Sequence, residues 1–185
     1  MSHQNEITAE EALARLKEGN AKFLQAQTSI GDVSPQIRER TAKEGQFPYA
    51  LVLTCSDSRV IPESIFSTGI GELFVVRVAG YVADKTQLGS IVYAVEHLHT
   101  PLVLVLGHTN CGAVGTALYS HKVDGHLTTI INLIKKAIGD EKDYDKAVVL
   151  NVEFTCNAIK NGNIPAKVVG AVYHIDSGKV EFLEN

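Results

Sequence analysis

The chain has 185 residues, 45% of them hydrophobic, enough for one substantial core and too few for two ordinary domains. Its 17 basic and 21 acidic side chains give a formal charge of -4 with no long block of either sign, which argues against a nucleic-acid partner. No apolar run approaches the roughly 20 residues that cross a bilayer, and residues 1–11 are polar with no signal-peptide core, so a soluble, cytoplasmic protein without membrane association is expected.

From Thr8 to Gln27 apolar residues recur at Ala12, Leu13, Leu16, Phe23 and Leu24, and Glu11 follows Thr8 by three positions, which predicts an amphipathic helix opened by a capping box. The pattern breaks near Gly31, and Pro35 to Lys43 reads as a short polar helix stopped at Gly45. The period then changes. Tyr49–Thr54, Leu73–Val78, Leu102–Leu106 and Val168–Tyr173 are continuous apolar runs of strand length, the pattern of strands covered on both faces. Helical stretches lie between them over Lys85–His99, Ala113–His121, Leu127–Ile138 and Tyr144–Asn161. This alternation predicts an α/β fold: a central, mainly parallel sheet of four strands, helices on both faces, and an N-terminal helical extension. The Ser177-Gly178 turn within Tyr173–Leu183 adds an antiparallel edge strand. The expected organisation is a single domain over 1–185, a helical arm over 1–45 followed by an α/β core over 46–185.

Three cysteines, an odd number in a chain with no export signal, point to thiolates used as ligands or nucleophiles rather than to a disulfide framework. Cys156 has no histidine or second cysteine near it in sequence and reads as packing. Cys55 and Cys111 instead stand where apolar strands give way to polar turns, in Thr54-Cys55-Ser-Asp-Ser-Arg59 and Gly107-His108-Thr-Asn-Cys111-Gly112. Loops at the carboxyl edge of a parallel sheet are where such folds place functional side chains. The His-x-x-Cys spacing can set an imidazole and a thiolate on one side of a tight turn, with Cys55 as a third donor, and sulfur with nitrogen suits zinc. Buried packing groups are the alternative. A structural zinc is disfavoured because four dedicated Cys or His ligands are missing. Asp57 decides the fourth position: turned toward Arg59 it leaves room for water, and swung onto a metal it closes the site. Asp57 and Arg59 taken alone would be an ordinary surface ion pair of little energetic weight. Beside a candidate ligand, a bidentate pair can orient water.

At these residues the sequence resembles the beta-class carbonic anhydrases, in which a Cys-x-Asp-x-Arg strand end is coupled to a distant His-x-x-Cys. The likeness extends from Ala12–Asn20 through Gly71–Arg77 and Gly107–Gly115, then weakly to the final hairpin. It implies a carbonate dehydratase that hydrates carbon dioxide reversibly to bicarbonate and a proton, with Zn2+ held by Cys55, His108 and Cys111 and Asp57 as a possible fourth ligand in a closed state. Asp57 and Arg59 would be the catalytic dyad. Gln46, nine residues before Cys55, with Phe74 and Tyr93 would line the substrate pocket, and Gly112 would offer a backbone amide near the dyad. The resemblance also implies a homodimer or dimer-based oligomer, for which Leu13, Leu16, Phe23 and Leu24 present an apolar face; packing of that face within the chain is the alternative. It covers hydrolases of carbonyl sulfide or carbon disulfide as well, and a zinc-holding relative without catalysis, against which the retained Asp57, Arg59 and Gln46 speak. The chain departs from the family pattern at Thr54, Tyr81 and Val92, where a small residue, an asparagine and a glutamate are common. Val52 stands where one branch carries a tryptophan, so an open site is expected. His97, His99, His121 and His126 read as surface or structural histidines rather than proton carriers.

Overall fold

A computed structural model describes residues 7–26, 31–120 and 122–183. Thr8 caps α1 (Ala9–Gln25) through the expected reciprocal pair: its hydroxyl accepts from the Glu11 amide and the Glu11 carboxylate accepts from the Thr8 amide. Gln27, the expected end of this helix, lies outside the described residues. Ser34 caps α2 (Pro35–Glu44), which stops at Gly45 in a left-handed conformation (φ 89).

The four apolar runs form β1 (Ala50–Thr54), β2 (Leu73–Arg77), β3 (Leu102–His108) and β4 (Lys167–Tyr173), all parallel, in the spatial order β2-β1-β3-β4. β5 (Val180–Phe182) pairs antiparallel with β4 at the edge. This is the predicted α/β sheet. β3 outruns its apolar segment because Gly107 and His108 go on pairing with Val172 and Tyr173, so ladder partners rather than hydrophobicity set its end.

Successive strand residues point to opposite faces, and each face has its own core. Leu51, Leu53, Val103 and Val105 pack with Ile91 of α4 (Lys85–Val92), Val114 of α5 (Gly112–Tyr119), Ile131 and Ile134 of α6 (Leu127–Ile138), and Val148 and Val152 of α7 (Tyr144–Lys160). Ala50, Val52, Leu102 and Leu104 pack with Ala12 and Leu16 of α1 and Ile65 of the short α3 (Pro62–Ile65), a helix the sequence pattern does not announce. The stretch 85–99 is not one α-helix. α4 ends at Val92, a π turn follows over Tyr93–His97, and the chain reverses at His99 (φ 55) before Thr100-Pro101, where the residue ahead of proline is kept out of the helical region. His121, the expected end of α5, lies outside the described residues. Among the described residues no helix is long and apolar enough to cross a membrane.

Within α1, Ala12 and Leu16 are fully buried against the chain's own sheet, Leu13 and Phe23 are half-buried, and Leu24 remains 49% exposed. Buried Asn20 fastens the helix to the core: its Nδ2 donates to Ile65 O (3.2 Å) and Gly178 O (3.0 Å), and its Oδ1 accepts from the Val180 amide (2.9 Å). Asn20→Ala leaves three backbone groups without their partner and is expected to cost about 3 kcal/mol of folding stability, to be read from urea unfolding with an unchanged m value.

Candidate metal centre

β1 and β3 end side by side, Thr54 pairing with Leu106, so the polar turns that leave them meet over the carboxyl edge of the sheet. The buried Thr54 hydroxyl donates to Leu106 O (2.7 Å), which ties the two strand ends together immediately before Cys55. On the other strand His108 is the last β3 residue, and Asn110, at φ 56, reverses the chain so that Cys111 opens α5. Asparagine tolerates this left-handed conformation better than most residues. Thr109 anchors the turn to β4: its amide donates to Tyr173 O and its hydroxyl accepts from the Ile175 amide, each at 3.0 Å.

The outcome is convergence. The sulfurs of Cys55 and Cys111 and a ring nitrogen of His108 lie within 4.8 Å of one another, and all three residues are buried. His108 Nδ1 sits 2.8 Å from Thr109 O. A carbonyl oxygen can only accept, so Nδ1 carries a proton and the neutral ring's lone pair falls on Nε2. Nε2 is buried with no hydrogen-bond partner, and such an acceptor is costly to leave unpaired. Two sulfurs and an imidazole lone pair form a donor set that could hold a metal ion. A hydrogen bond from Cys111 holds the Cys55 thiol well below its ordinary range against the opposing effect of burial, and the Gly80 amide (3.4 Å to Sγ) adds to the lowering. That same bond and burial push Cys111 upward. The shifts run in opposite directions because the two sulfurs hydrogen-bond each other, and a cation binding both as thiolates would displace their protons.

Asp57 is turned toward Arg59. The guanidinium grips the carboxylate with two parallel bonds, Nε to Oδ1 at 2.9 Å and Nη2 to Oδ2 at 2.7 Å, while the Arg59 amide donates to Oδ1 at 3.0 Å. These bonds hold the Asp57 carboxyl well below the usual carboxylate range. Arg59 Nη2 also donates to Asn110 O (3.1 Å), so the pair bridges both turns. The Asp57 side chain is 17% exposed and that of Arg59 49%. Arg77 at the end of β2, not singled out from the sequence as a site residue, donates to Cys55 O (3.1 Å) and Asp57 O (2.7 Å) and so holds the first turn from beneath. Tyr81, noted from sequence only as a departure, is fully buried with its ring edge-on to His108, centroids 6.4 Å apart.

Residues 50–180 match the family model described as carbonic anhydrase. The carbonic anhydrase of Mycolicibacterium smegmatis is 35% identical, across 98% of this chain and 95% of that protein. This chain belongs to the carbonic anhydrase family. Its class is beta. The Coccomyxa beta-carbonic anhydrase, solved with acetazolamide, superposes with a TM-score of 0.65 at 31% identity, covering 82% of this chain and 86% of that one. A tetrameric beta-carbonic anhydrase of Sordaria macrospora does so with a TM-score of 0.68 at 28% identity, covering 82% and 88%.

In this carbonic anhydrase the remaining expected pocket residues are only partly gathered. Phe74, level with Leu51 and packed against the core on the α4 face of the sheet, meets Tyr93 with ring centroids 6.1 Å apart; Phe74 is half-buried and Tyr93 is 48% exposed. Gly112 is exposed at the start of α5, directly after Cys111. Gln46 is exposed and precedes β1, whereas Cys55 follows it. At about 3.3 Å per strand residue the start of β1, which Gln46 precedes, lies roughly 16 Å from Cys55 along the strand. His97, 5.4 Å from the Tyr93 ring, and His99 and His126 are exposed, while His121 lies outside the described residues.

Proposed function

We propose that this carbonic anhydrase hydrates carbon dioxide reversibly to bicarbonate and a proton at a zinc ion held by Cys55, His108 and Cys111, with Asp57 and Arg59 as the catalytic dyad. The observation that carries this is the buried, unpartnered His108 Nε2 beside two sulfurs, with the nearby carboxylate occupied by Arg59. Bound zinc would lower the pKa of water from 15.7 to about 7, an effect that two anionic sulfurs oppose. The protein groups do the orienting. Ionised Asp57, fixed in the Arg59 fork, is an acceptor for a proton of the attacking water, turning the water's lone pair toward the carbon atom. Arg59 keeps Asp57 from swinging onto the metal, which maintains the open arrangement. The proton released passes to buffer.

Phe74 and Tyr93 would supply the apolar wall against which carbon dioxide rests, with the Gly112 amide near the dyad. Gln46 enters β1 from the edge opposite the metal centre, and a second copy would bring it to a pocket at the carboxyl edge, in keeping with a homodimer or dimer-based oligomer; the Sordaria macrospora relatives are tetrameric. The proposed organisation is one domain, with the arm over 1–45 and the core over 46–185, acting in the cytoplasm. Purified protein is expected to contain one zinc per chain and to hydrate carbon dioxide at alkaline pH in stopped flow. Zinc-loaded protein that is silent in that assay but releases sulfide from carbonyl sulfide would redirect the substrate, and silence in both would reduce the chain to a zinc-binding module.

A further inference from the structure

Tyr144, Val148 and Asn151 stand at i, i+4 and i+7 on α7 and therefore share one face of that helix. Each makes one hydrogen bond toward the metal centre. The Tyr144 hydroxyl donates to Cys111 O (2.5 Å). Val148 O accepts from the hydroxyl of Tyr81, whose ring stands edge-on to His108. Fully buried Asn151 donates from Nδ2 to Gly80 O (2.9 Å), and the Gly80 amide in turn donates to Cys55 Sγ. All three metal-holding residues are thus reached from a single helix face that contributes no donor to the group itself.

The Gly80 link is the most demanding of the three. Gly80 (φ 70) and Tyr81 (φ 45) are consecutive left-handed residues, a conformation that tyrosine disfavours. A Cβ at Gly80 would come within 2.6 Å of Ile134 Cδ1 and 3.2 Å of Ala113 Cβ, and with φ 70 the position favours glycine. The Tyr81 amide, on the same peptide group as Gly80 O, donates to Val78 O (3.0 Å), so this peptide is held locally at one end. Asn151 holds the carbonyl end, which pins the left-handed turn from the α7 side, and the Gly80 amide of the preceding peptide reaches Cys55 from that pinned turn.

We propose that α7 positions the metal centre, with Asn151, through Gly80, and Tyr144, through the Cys111 carbonyl, as positioning residues that set Cys55 and Cys111 at the spacing a single ion requires. The inference rests on the zinc assignment above. Its test is metal binding, read by cobalt(II) titration, in which thiolate-to-cobalt charge transfer reports sulfur geometry, and by zinc competition against a chromophoric chelator. Asn151→Ala is expected to weaken zinc binding by about 10- to 100-fold, the range typical of groups that orient metal ligands. Tyr144→Phe keeps the ring, loses one hydrogen bond, and is expected to weaken binding by the lower end of that range. Both should shift the cobalt charge-transfer band, whereas Glu153→Ala, exposed on the same helix, should not. Unfolding of apo and loaded protein separates positioning from support, because weaker binding shrinks the metal-linked gain in stability. Equal losses in the apo and loaded forms, with wild-type affinity and an unchanged cobalt band, would overturn the inference. If Asn151→Ala does not fold, Asn151→Asp, which keeps the shape and replaces the donor, and Tyr144→Phe decide by the same measurements. A wild-type chain that takes up neither cobalt nor zinc would overturn the zinc assignment itself, and this inference with it.

Discussion

His108→Ala is expected to leave the chain unable to retain zinc and to bring carbon dioxide hydration down to the rate of zinc-free protein. The substitution deletes the one donor whose lone pair is buried and unpartnered, and two sulfurs alone are a poor site for a cation that takes four ligands. The loss in zinc affinity should exceed the roughly 100-fold upper range of residues that merely orient a ligand. Folding provides a second readout. In the apo protein the change relieves the cost of an unpaired Nε2 but gives up the bond from Nδ1 to Thr109 O and the packing against Tyr81. These effects oppose each other, and apo stability is expected to move by no more than about 2 kcal/mol. The rise in melting temperature on adding zinc should vanish. Zinc binding within tenfold of wild type would remove His108 from the metal centre and leave it a packing histidine.

The two strand-end turns were legible because their chemistry is local. Cys55 and Asp57 leave β1 within a few residues, as His108 and Cys111 leave β3, and continuous apolar runs mark both strands as buried neighbours. What converges from a distance was not. Asn151 and Tyr144 lie in a helix whose pattern signals only amphipathic packing, and nothing near them in sequence indicates that their partners are Gly80 O and Cys111 O. Tyr81 read as a departure from a family pattern, but its physical role emerges only with Gly107. A Cβ there would lie 2.5 Å from Val152 Cγ2 and 3.1 Å from Tyr81 Cζ, so the bare glycine of β3 makes room for the tyrosine ring. The π turn over Tyr93–His97 was hidden because an apolar stripe looks the same whether the helix widens at its end or not. Gln46 shows the converse. It precedes β1 and Cys55 follows, so chain direction alone separates them, and its proposed place in the pocket depends on a second molecule.

Asp57→Asn should keep the zinc and lose most of the rate. Asparagine preserves the size of the side chain but removes the charge and turns one acceptor into a donor, so the Arg59 fork cannot close on it with two parallel bonds. Neither Cys55, His108 nor Cys111 is touched, and metal content should remain at one ion per chain. The expected loss in kcat/KM is about 10²- to 10⁴-fold, the range for a residue that handles the proton of an attacking group. Arg59→Lys should lose less, since lysine keeps the charge but offers a point in place of a planar fork. It should also free Asp57 to approach the metal, visible as a changed cobalt spectrum in an otherwise loaded protein. Full zinc with a near wild-type rate in Asp57→Asn would reduce the pair to an ordinary ion pair at the rim. Under the proposed function the two substitutions divide the mechanism: His108 would govern whether a metal is held, and Asp57 whether the attacking water is turned the right way.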